Sequence, residues 1–365
     1  MINSVRRKFR KIGNRIPFSR PVLRAKRYRT LLKNNLFSAT SRSSIDKSFK
    51  YSIVRVMGND LYPRHDIGQM INNLRFILEN EPSFDDCEKL FVLNRLFDSD
   101  YEEQALELLR KHNAKALVIP FVPSEYAEAE WDTQIFGGID FFKSKKFLEE
   151  KEEFKQRMRV ISCGPKVRYA MNINGARNLG LKTARKTAEW IVVLDGNCIF
   201  TKASFACFKN DTTAGFFAPY SVVPMQRLEQ NTDYWTCEPR SDLAEEPQLA
   251  FHCSAKMEFD ERFIYGLRDK TSLLQSLGVP GPWHYWAKHD WIPEVGTDRN
   301  EENFYKFSSG GVFRLSSGGL GFELENAQKK RHSTRNASIL ETISQLNLKH
   351  GTRNPAYEAQ IFGSD

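Results

Sequence analysis

Between residues 51 and 121 short apolar runs alternate with amphipathic stretches. The run YSIVRVM at 51–57 predicts a strand leading into Gly58, Asn59 and Asp60, after which Ile67, Met70, Ile71, Leu74, Ile77 and Leu78 recur at the spacing of one helical face. A second strand is predicted at 89–93 (KLFVL) and a second helix at 101–112, with Ala105, Leu106, Leu108 and Leu109 inward. A third strand follows at 116–121 (ALVIPF). Strands and helices alternating at this short spacing imply parallel strands joined by right-handed crossovers, and hence an α/β domain with both sheet faces covered.

The pattern is less regular from 122 to 167, where the charged run 143–159 predicts an exposed helix. It sharpens again at 174–189, a helix opened by N-G-A-R-N, and at 190–194 (WIVVL), the most hydrophobic strand, which ends in Asp195, Gly196 and Asn197. The segment 214–223 predicts a strand whose proline suits an edge position. Residues 278–300 are rich in Pro, Gly and Trp and predict a long structured loop. Residues 307–315 predict a short strand interrupted by glycines, and the polar C-terminal stretch holds one predicted helix, 338–346.

Composition changes this picture mainly at the N-terminus. Of the 365 residues, 41% are hydrophobic, enough for a full core, and the six cysteines form no C-x-x-C pair, which suits a reducing, cytoplasmic setting. No uncharged apolar stretch approaches the roughly 20 residues of a membrane span. The net charge of +9 is unevenly placed: residues 1–45 hold 13 Lys or Arg and no acid, leaving 41 basic against 45 acidic residues elsewhere. The body is therefore mildly acidic, which argues against nucleic-acid binding. Within the arm, Val5, Phe9, Ile12 and Ile16 follow helical spacing among basic residues, the pattern of a helix on an anionic membrane surface. A disordered basic tail and a targeting presequence are the alternatives. The expected organisation is an arm and linker over 1–50, a catalytic domain over 51–325 and a C-terminal extension over 326–365.

The candidate chemistry centres on Asp195. A carboxylate directly after an apolar strand points into the crevice at the carboxyl edge of an open α/β sheet, where ligands bind. Asn197, two residues on, can address the same cation across the Gly196 bend. A plain β-turn is the competing reading.

The block Ala176, Arg177, Asn178 and Gly180 followed by a strand ending in Asp195, Gly196 and Asn197 resembles nucleotide-sugar-dependent glycosyltransferases of the GT-A fold, especially the family-2 type. The G-N-D, N-G-A-R-N and D-G-N motifs are also similar to those of one bacterial branch. The resemblance spans roughly residues 51–280. It implies a mixed, mostly parallel central sheet flanked by helices, a nucleotide-sugar donor held by Asn59, Asp60, Arg177, Asn178 and Asp195, and a divalent cation, Mn or Mg, on Asp195 and Asn197. Asn197 stands where the family carries an acid, and neutral Asn is a weaker ligand for a hard cation. The resemblance further implies an acceptor base after the F-D-E motif at 259–261, with Asp269 the first candidate and Glu261 the second; a solvated helix start is the plainer reading of both. The implied reaction is inverting transfer to a glycan or lipid-linked acceptor in polysaccharide biosynthesis, by a cytoplasmic protein peripheral to the membrane. A non-catalytic glycan-binding or scaffold protein on the same fold, or a nucleotidyltransferase, is the alternative.

Two other segments carry weaker signals. Trp283, His284, Tyr285, Trp286, His289 and Trp291 form a loop fit either to stack on sugar rings or to cover a hydrophobic cluster. Ser308, Ser309, Gly310 and Gly311 form either a phosphate cradle or a turn.

Overall fold

The structure is a computed structural model that describes residues 49–214, 218–241, 245–286, 289, 291–295, 304–316 and 327–362, with side chains in the last segment from 334 onward. Chain contacts divide the protein into Met1–Ser43 and Ser44–Asp365, and every described residue belongs to the second unit. The basic arm, apart from the start of the first strand, therefore lies outside the described residues.

The core is a seven-stranded sheet. Strands β1 (Phe49–Met57), β2 (Cys87–Asn94), β3 (Lys115–Ile119) and β4 (Ala188–Asp195) are mutually parallel, in the spatial order β3-β2-β1-β4. The sheet continues through β8 (Gln248–His252), antiparallel to both its neighbours, to β6 (Tyr220–Val223) and β9 (Tyr305–Phe307). A small second sheet joins β5 (Cys198–Ile199), β10 (Val312–Arg314) and β7 (Met225–Arg227). The mixed, mostly parallel architecture implied by the sequence is the one found.

Helices α1 (Gln69–Asn80) and α2 (Ser99–Lys111) are the first two crossovers. Met70, Ile71, Leu74 and Ile77 are buried on α1, whereas Ile67 is 85% exposed because the helix begins only after Gly68, whose φ is +88°. Asp98 caps α2 by accepting from the backbone of Asp100 and Tyr101. The charged run 143–159 is not one exposed helix: Ser144 and Lys151 divide it into α4 (Lys145–Leu148) and α5 (Glu152–Ser162), and Phe147 and Met158 are buried.

Helix α7 (Ile173–Ala184) is capped by the Asn172 side chain, which accepts from Gly175 N at 2.8 Å. It ends before the sequence pattern suggests, since β4 already begins at Ala188. A Cβ on Gly180 would meet Val54 Cγ1 at 2.3 Å and Val92 Cγ2 at 3.1 Å, so this glycine sets how closely α7 lies on β1 and β2.

Pro219 precedes β6 rather than interrupting it, so no ladder donor is lost and β6 has partners on both sides instead of forming an edge. The glycine-broken strand at 307–315 resolves into β9 and β10, which belong to different sheets. The C-terminal segment is more helical than its polar composition suggests. Helices α10 (Ala327–His350) and α11 (Pro355–Phe362) bring Ile339, Leu340, Ile343, Leu346 and Ile361 into a hydrophobic cluster with Tyr126, Trp131, Phe142, Phe147, Met158 and Val167. That cluster takes in α3 (Pro123–Ala127), α4, α5 and α6 (Gly164–Ala170).

Candidate functional site

The carboxyl ends of β1, β2 and β4 open into a cavity of about 230 Å³. Its lining includes Asn59, Asp60, Arg177, Asp195, Asn197 and Asp269 from the sequence analysis, together with Arg64, His65, Glu246, Lys270, Arg314 and Arg335. Register places Asp195 beside Val56 on β1. A Cβ on Gly196 would sit 2.6 Å from the Val56 carbonyl oxygen, so the chain can turn out of β4 here only with glycine.

Asp195 is the centre of an ion network. Arg177 donates to Asp195 Oδ1 at 2.7 Å and to Asp269 Oδ2 at 3.1 Å. Lys270 Nζ lies 3.2 Å from Asp195 Oδ2 and 3.2 Å from Glu246, and Gln248 Nε2 donates to the same Asp195 oxygen at 3.2 Å. Side-chain exposure is 5% for Arg177, 3% for Lys270 and 23% for Asp195. Burial alone would raise the Asp195 pKa, but Lys270, Arg177 and Arg314 outweigh it and hold the carboxyl far below its usual range. The converse holds for the cations: burial opposes the Lys270 charge, and Asp195 and Glu246 more than restore it. Asp195 and Asp269 do the same for Arg177.

The two asparagines of the N-G-A-R-N helix serve a different purpose from Arg177. Asn178 makes a two-way amide bridge with the Phe259 backbone, at 2.8 and 2.9 Å, and also donates to Glu261 at 3.0 Å. Asn174 donates to the carbonyl oxygens of Asp260 (2.9 Å) and Asp269 (2.7 Å). These residues clamp the 259–269 segment onto α7, which brings Asp269 to the cavity. Neither Asn178 nor Glu261 belongs to the cavity lining, and Glu261 is exposed.

At the other wall, Asn59 donates to the Arg95 carbonyl at 2.7 Å and accepts from Phe97 N at 2.9 Å. Asp60 accepts from Met70 N at 2.9 Å and from the Tyr101 hydroxyl, while burial raises its pKa. Asn59 thus ties the β1 loop to the loop after β2, and Asp60 ties it to α1 and α2.

A third group is basic, and its convergence was not legible in the sequence. Arg64 comes from the loop after β1, Arg314 from the end of β10 and Arg335 from α10, and all three line the cavity. Their combined field is visible on His65, whose pKa is pushed down to about 3 by burial and then by Arg64, Arg314 and Arg335. Accordingly, His65 Nδ1 accepts from Leu61 N at 3.2 Å, as a neutral ring can. Arg64 itself is lowered to about 10, first by burial, with Arg335 and Arg314 adding to the shift against Tyr265.

These residues do not fit the divalent cation that the resemblance implies. Both Asp195 oxygens already face a guanidinium or an ammonium group. Asn197 supplies only a neutral amide, and among the described residues no three His, Cys, Asp or Glu side chains converge as a metal site. A divalent ion between Asp195 and Asn197 would stand directly beside two buried positive charges.

The remaining motifs fall elsewhere. Trp283 is 2% exposed in the main core and donates to the Val279 carbonyl at 2.8 Å. His289 stacks on Trp291, with centroids 4.6 Å apart, and Trp291 packs against the second cluster. Only Tyr285 and Trp286 of these aromatics are large exposed hydrophobics. Ser309 donates both its N–H (2.6 Å) and its hydroxyl (2.8 Å) to Asp211, and a Cβ on Gly310 would meet the Ser204 carbonyl oxygen at 2.0 Å. That segment is packed on α8 (Lys202–Thr213) and holds a carboxylate, so it is no phosphate cradle.

No family model and no curated protein sequence matches the chain. Among solved structures, a mannosyltransferase from Pyrobaculum calidifontis in complex with GDP-Man and Mn2+ is 11% identical, with a TM-score of 0.38 over 94% of this chain and 80% of its own. The 4-diphosphocytidyl-2C-methyl-D-erythritol synthase of Anaerococcus prevotii is 8% identical, with a TM-score of 0.28 over 80% of this chain and 98% of its own. Mouse xyloside xylosyltransferase 1, in its apo form, is 11% identical, with a TM-score of 0.26 over 56% of this chain and 67% of its own. With TM-scores below 0.5, none of these likenesses bears on the chemistry of the site.

Proposed function

We propose that the protein is a glycosyltransferase that moves a sugar from a nucleotide-sugar donor to a glycan or lipid-linked acceptor, as in polysaccharide biosynthesis. The observation that carries this reading is the cavity at the carboxyl ends of the parallel strands, where Asp195, Asp269, Arg177 and Lys270 meet. In the proposed step the acceptor hydroxyl oxygen attacks the anomeric carbon, the bond from that carbon to the diphosphate oxygen breaks, and the hydroxyl proton passes to the Asp269 carboxylate. Negative charge then accumulates on the departing diphosphate, within reach of the cations that line the cavity. Asp269 is preferred to Glu261 because it faces the cavity. Asn59 and Asp60 are assigned to shaping the donor wall, and Asn178 to holding the Asp269 segment.

The test is a panel of nucleotide sugars, assayed for binding and for donor hydrolysis, with Mn2+ and with chelator. One donor is expected to bind and turn over slowly without acceptor. Asp269→Asn should lower turnover by about 10² to 10⁴ while leaving donor affinity within a few-fold. A panel in which no nucleotide sugar binds removes the proposal. Sugar binding without turnover points to a glycan-binding protein, and pyrophosphate release from a nucleoside triphosphate points to a nucleotidyltransferase.

A further inference from the structure

We propose that Arg64, Arg314 and Arg335 form a diphosphate-binding site that works without a divalent cation. The inference rests on the glycosyltransferase reading only for the identity of the group attached to the diphosphate.

Three segments far apart in the chain bring guanidinium groups to one cavity: a loop at 64, a strand end at 314 and a helix at 335. Gathering like charges in a partly buried space is unfavourable, and the depressed pKa values of Arg64 and His65 register that strain. Tyr265 offsets part of the Arg64 charge and Asp195 attracts Arg314, but the acids of the cavity are shared with other partners. Asp195 faces Arg177 and Lys270, Glu246 faces Lys270, Asp269 faces Arg177, and Asp60 accepts from Met70 N and Tyr101. The Nε atoms of Arg314 and Arg335 are buried without a hydrogen-bond partner among the described residues. A guanidinium is a planar fork of N–H donors that matches two phosphate oxygens, and a diphosphate offers enough oxygens for more than one such fork.

The same assignment explains Asn197. Where a metal carries the diphosphate, a second carboxylate helps by binding that metal. Where arginines carry it, a carboxylate at 197 would only repel the phosphates, and a neutral amide would not.

The experiment is calorimetric titration of inorganic pyrophosphate into the full chain, in EDTA and in Mg2+. Binding is expected in EDTA, with affinity falling as salt rises. Arg314→Met and Arg335→Met should each weaken it about tenfold or more, and Arg314→Lys should keep part of it. Thermal unfolding guards against misfolding: each Met variant loses some attraction, to Asp195 or to the Gly266 carbonyl, along with a like-charge contact, so its melting temperature should stay near that of the wild type with one cooperative transition. Pyrophosphate binding only in Mg2+, no binding in either buffer, or binding unchanged in both Met variants would overturn the proposal. The two readings fail separately. Pyrophosphate binding in EDTA with no nucleotide sugar bound leaves the arginine site standing and removes the glycosyltransferase. Turnover of a nucleotide sugar that requires Mn2+ and ignores both Met variants does the reverse.

Discussion

Replacing Asp195 by Asn separates a metal-dependent site from an arginine site, because the two require opposite signs of effect on ligand affinity. The amide preserves the shape of the side chain and can still accept a hydrogen bond, but it removes the charge that balances Arg177 and Lys270, whose side chains are 5% and 3% exposed. Breaking a buried pair typically costs about 3–5 kcal/mol. Here Asp269 and Glu246 remain beside the two cations, and Asp195 is itself 23% exposed, so a loss of about 2–3 kcal/mol is expected. The same substitution unmasks positive charge. One unit charge removed about 6 Å from a phosphate is worth about 3 kcal/mol at an effective dielectric constant near 20, and solvent screening brings this to about 1–2 kcal/mol. Pyrophosphate should therefore bind about tenfold more tightly to a protein that unfolds at lower denaturant concentration. Urea unfolding and calorimetry in EDTA on one preparation measure both. If Asp195→Asn abolished pyrophosphate binding while the protein stayed folded, the carboxylate would be holding the ligand through a cation, and the charge argument would fail.

Other parts of the molecule make independent tests. Glu81 is fully buried, accepts from Arg55, lies 3.0 Å from Lys89 Nζ and accepts from Phe200 N at 3.0 Å. Glu81→Gln should destabilise the fold by about 3–5 kcal/mol in urea, and a loss below about 1 kcal/mol would show the pair to be solvated. His65 has a folded pKa of about 3 against an ordinary 6.5, so as pH falls below 6.5 the unfolded chain takes up the proton first. Its contribution to stability is complete above pH 6.5 and shrinks by up to about 1.4 kcal/mol per unit down to pH 3. Between pH 7 and 5 the wild type should accordingly lose up to about 2 kcal/mol more than His65→Gln, and parallel pH profiles would refute this. The basic arm, proposed to attach the protein to anionic membrane, is tested by sedimentation with anionic vesicles. Removing residues 1–45 should abolish co-sedimentation, at about 1 kcal/mol per basic residue near the surface, and equal sedimentation of both proteins would exclude the arm.

The fold was legible where one face of an element is decided locally. The runs at 51–57 and 190–194 are continuous because both faces of the inner strands are covered, and that burial is written directly as hydrophobicity. Gly180 and Gly196 were visible as motif letters, and their reason emerges from the backbone, where a Cβ would strike Val54 or the Val56 carbonyl. Helix α10 was seen only in part. Its buried residues Ile339, Ile343 and Leu346 lie in the segment 338–346 that periodicity predicted, whereas the residues before them are polar and basic and gave no apolar stripe. Trp283 and Trp291 were expected in one long loop, yet Trp283 sits in a short 3-10 helix, Pro282–Tyr285, and composition does not say whether an indole faces ligand or core.

The site was legible only in the residues a short motif spans, and its charge balance is not a short-range property. Asp195 was found from the strand that ends in it. Lys270 lies 75 residues later, and only the clamp by Asn174 and Asn178, which folds its segment back onto α7, brings it to Asp195. Arg314 had a usable signal, being the charged residue that ends a predicted strand just as Asp195 ends its own, although the glycines before it left open which part of 307–315 is strand. Arg335 had none, since nothing in a basic helix start tells which arginine points inward. The Asn at 197 shows the consequence. Compared with a two-acid motif it looks like a weakened metal ligand, because the comparison counts only the charges within three residues. Counted over the folded cavity, Asp195 is matched by Arg177 and Lys270, and three more arginines line the same space. In that field a second carboxylate at 197 would pair with an arginine and compete with the ligand. Asn197→Asp should therefore weaken pyrophosphate binding in EDTA, whereas a metal site would respond with tighter binding in Mg2+.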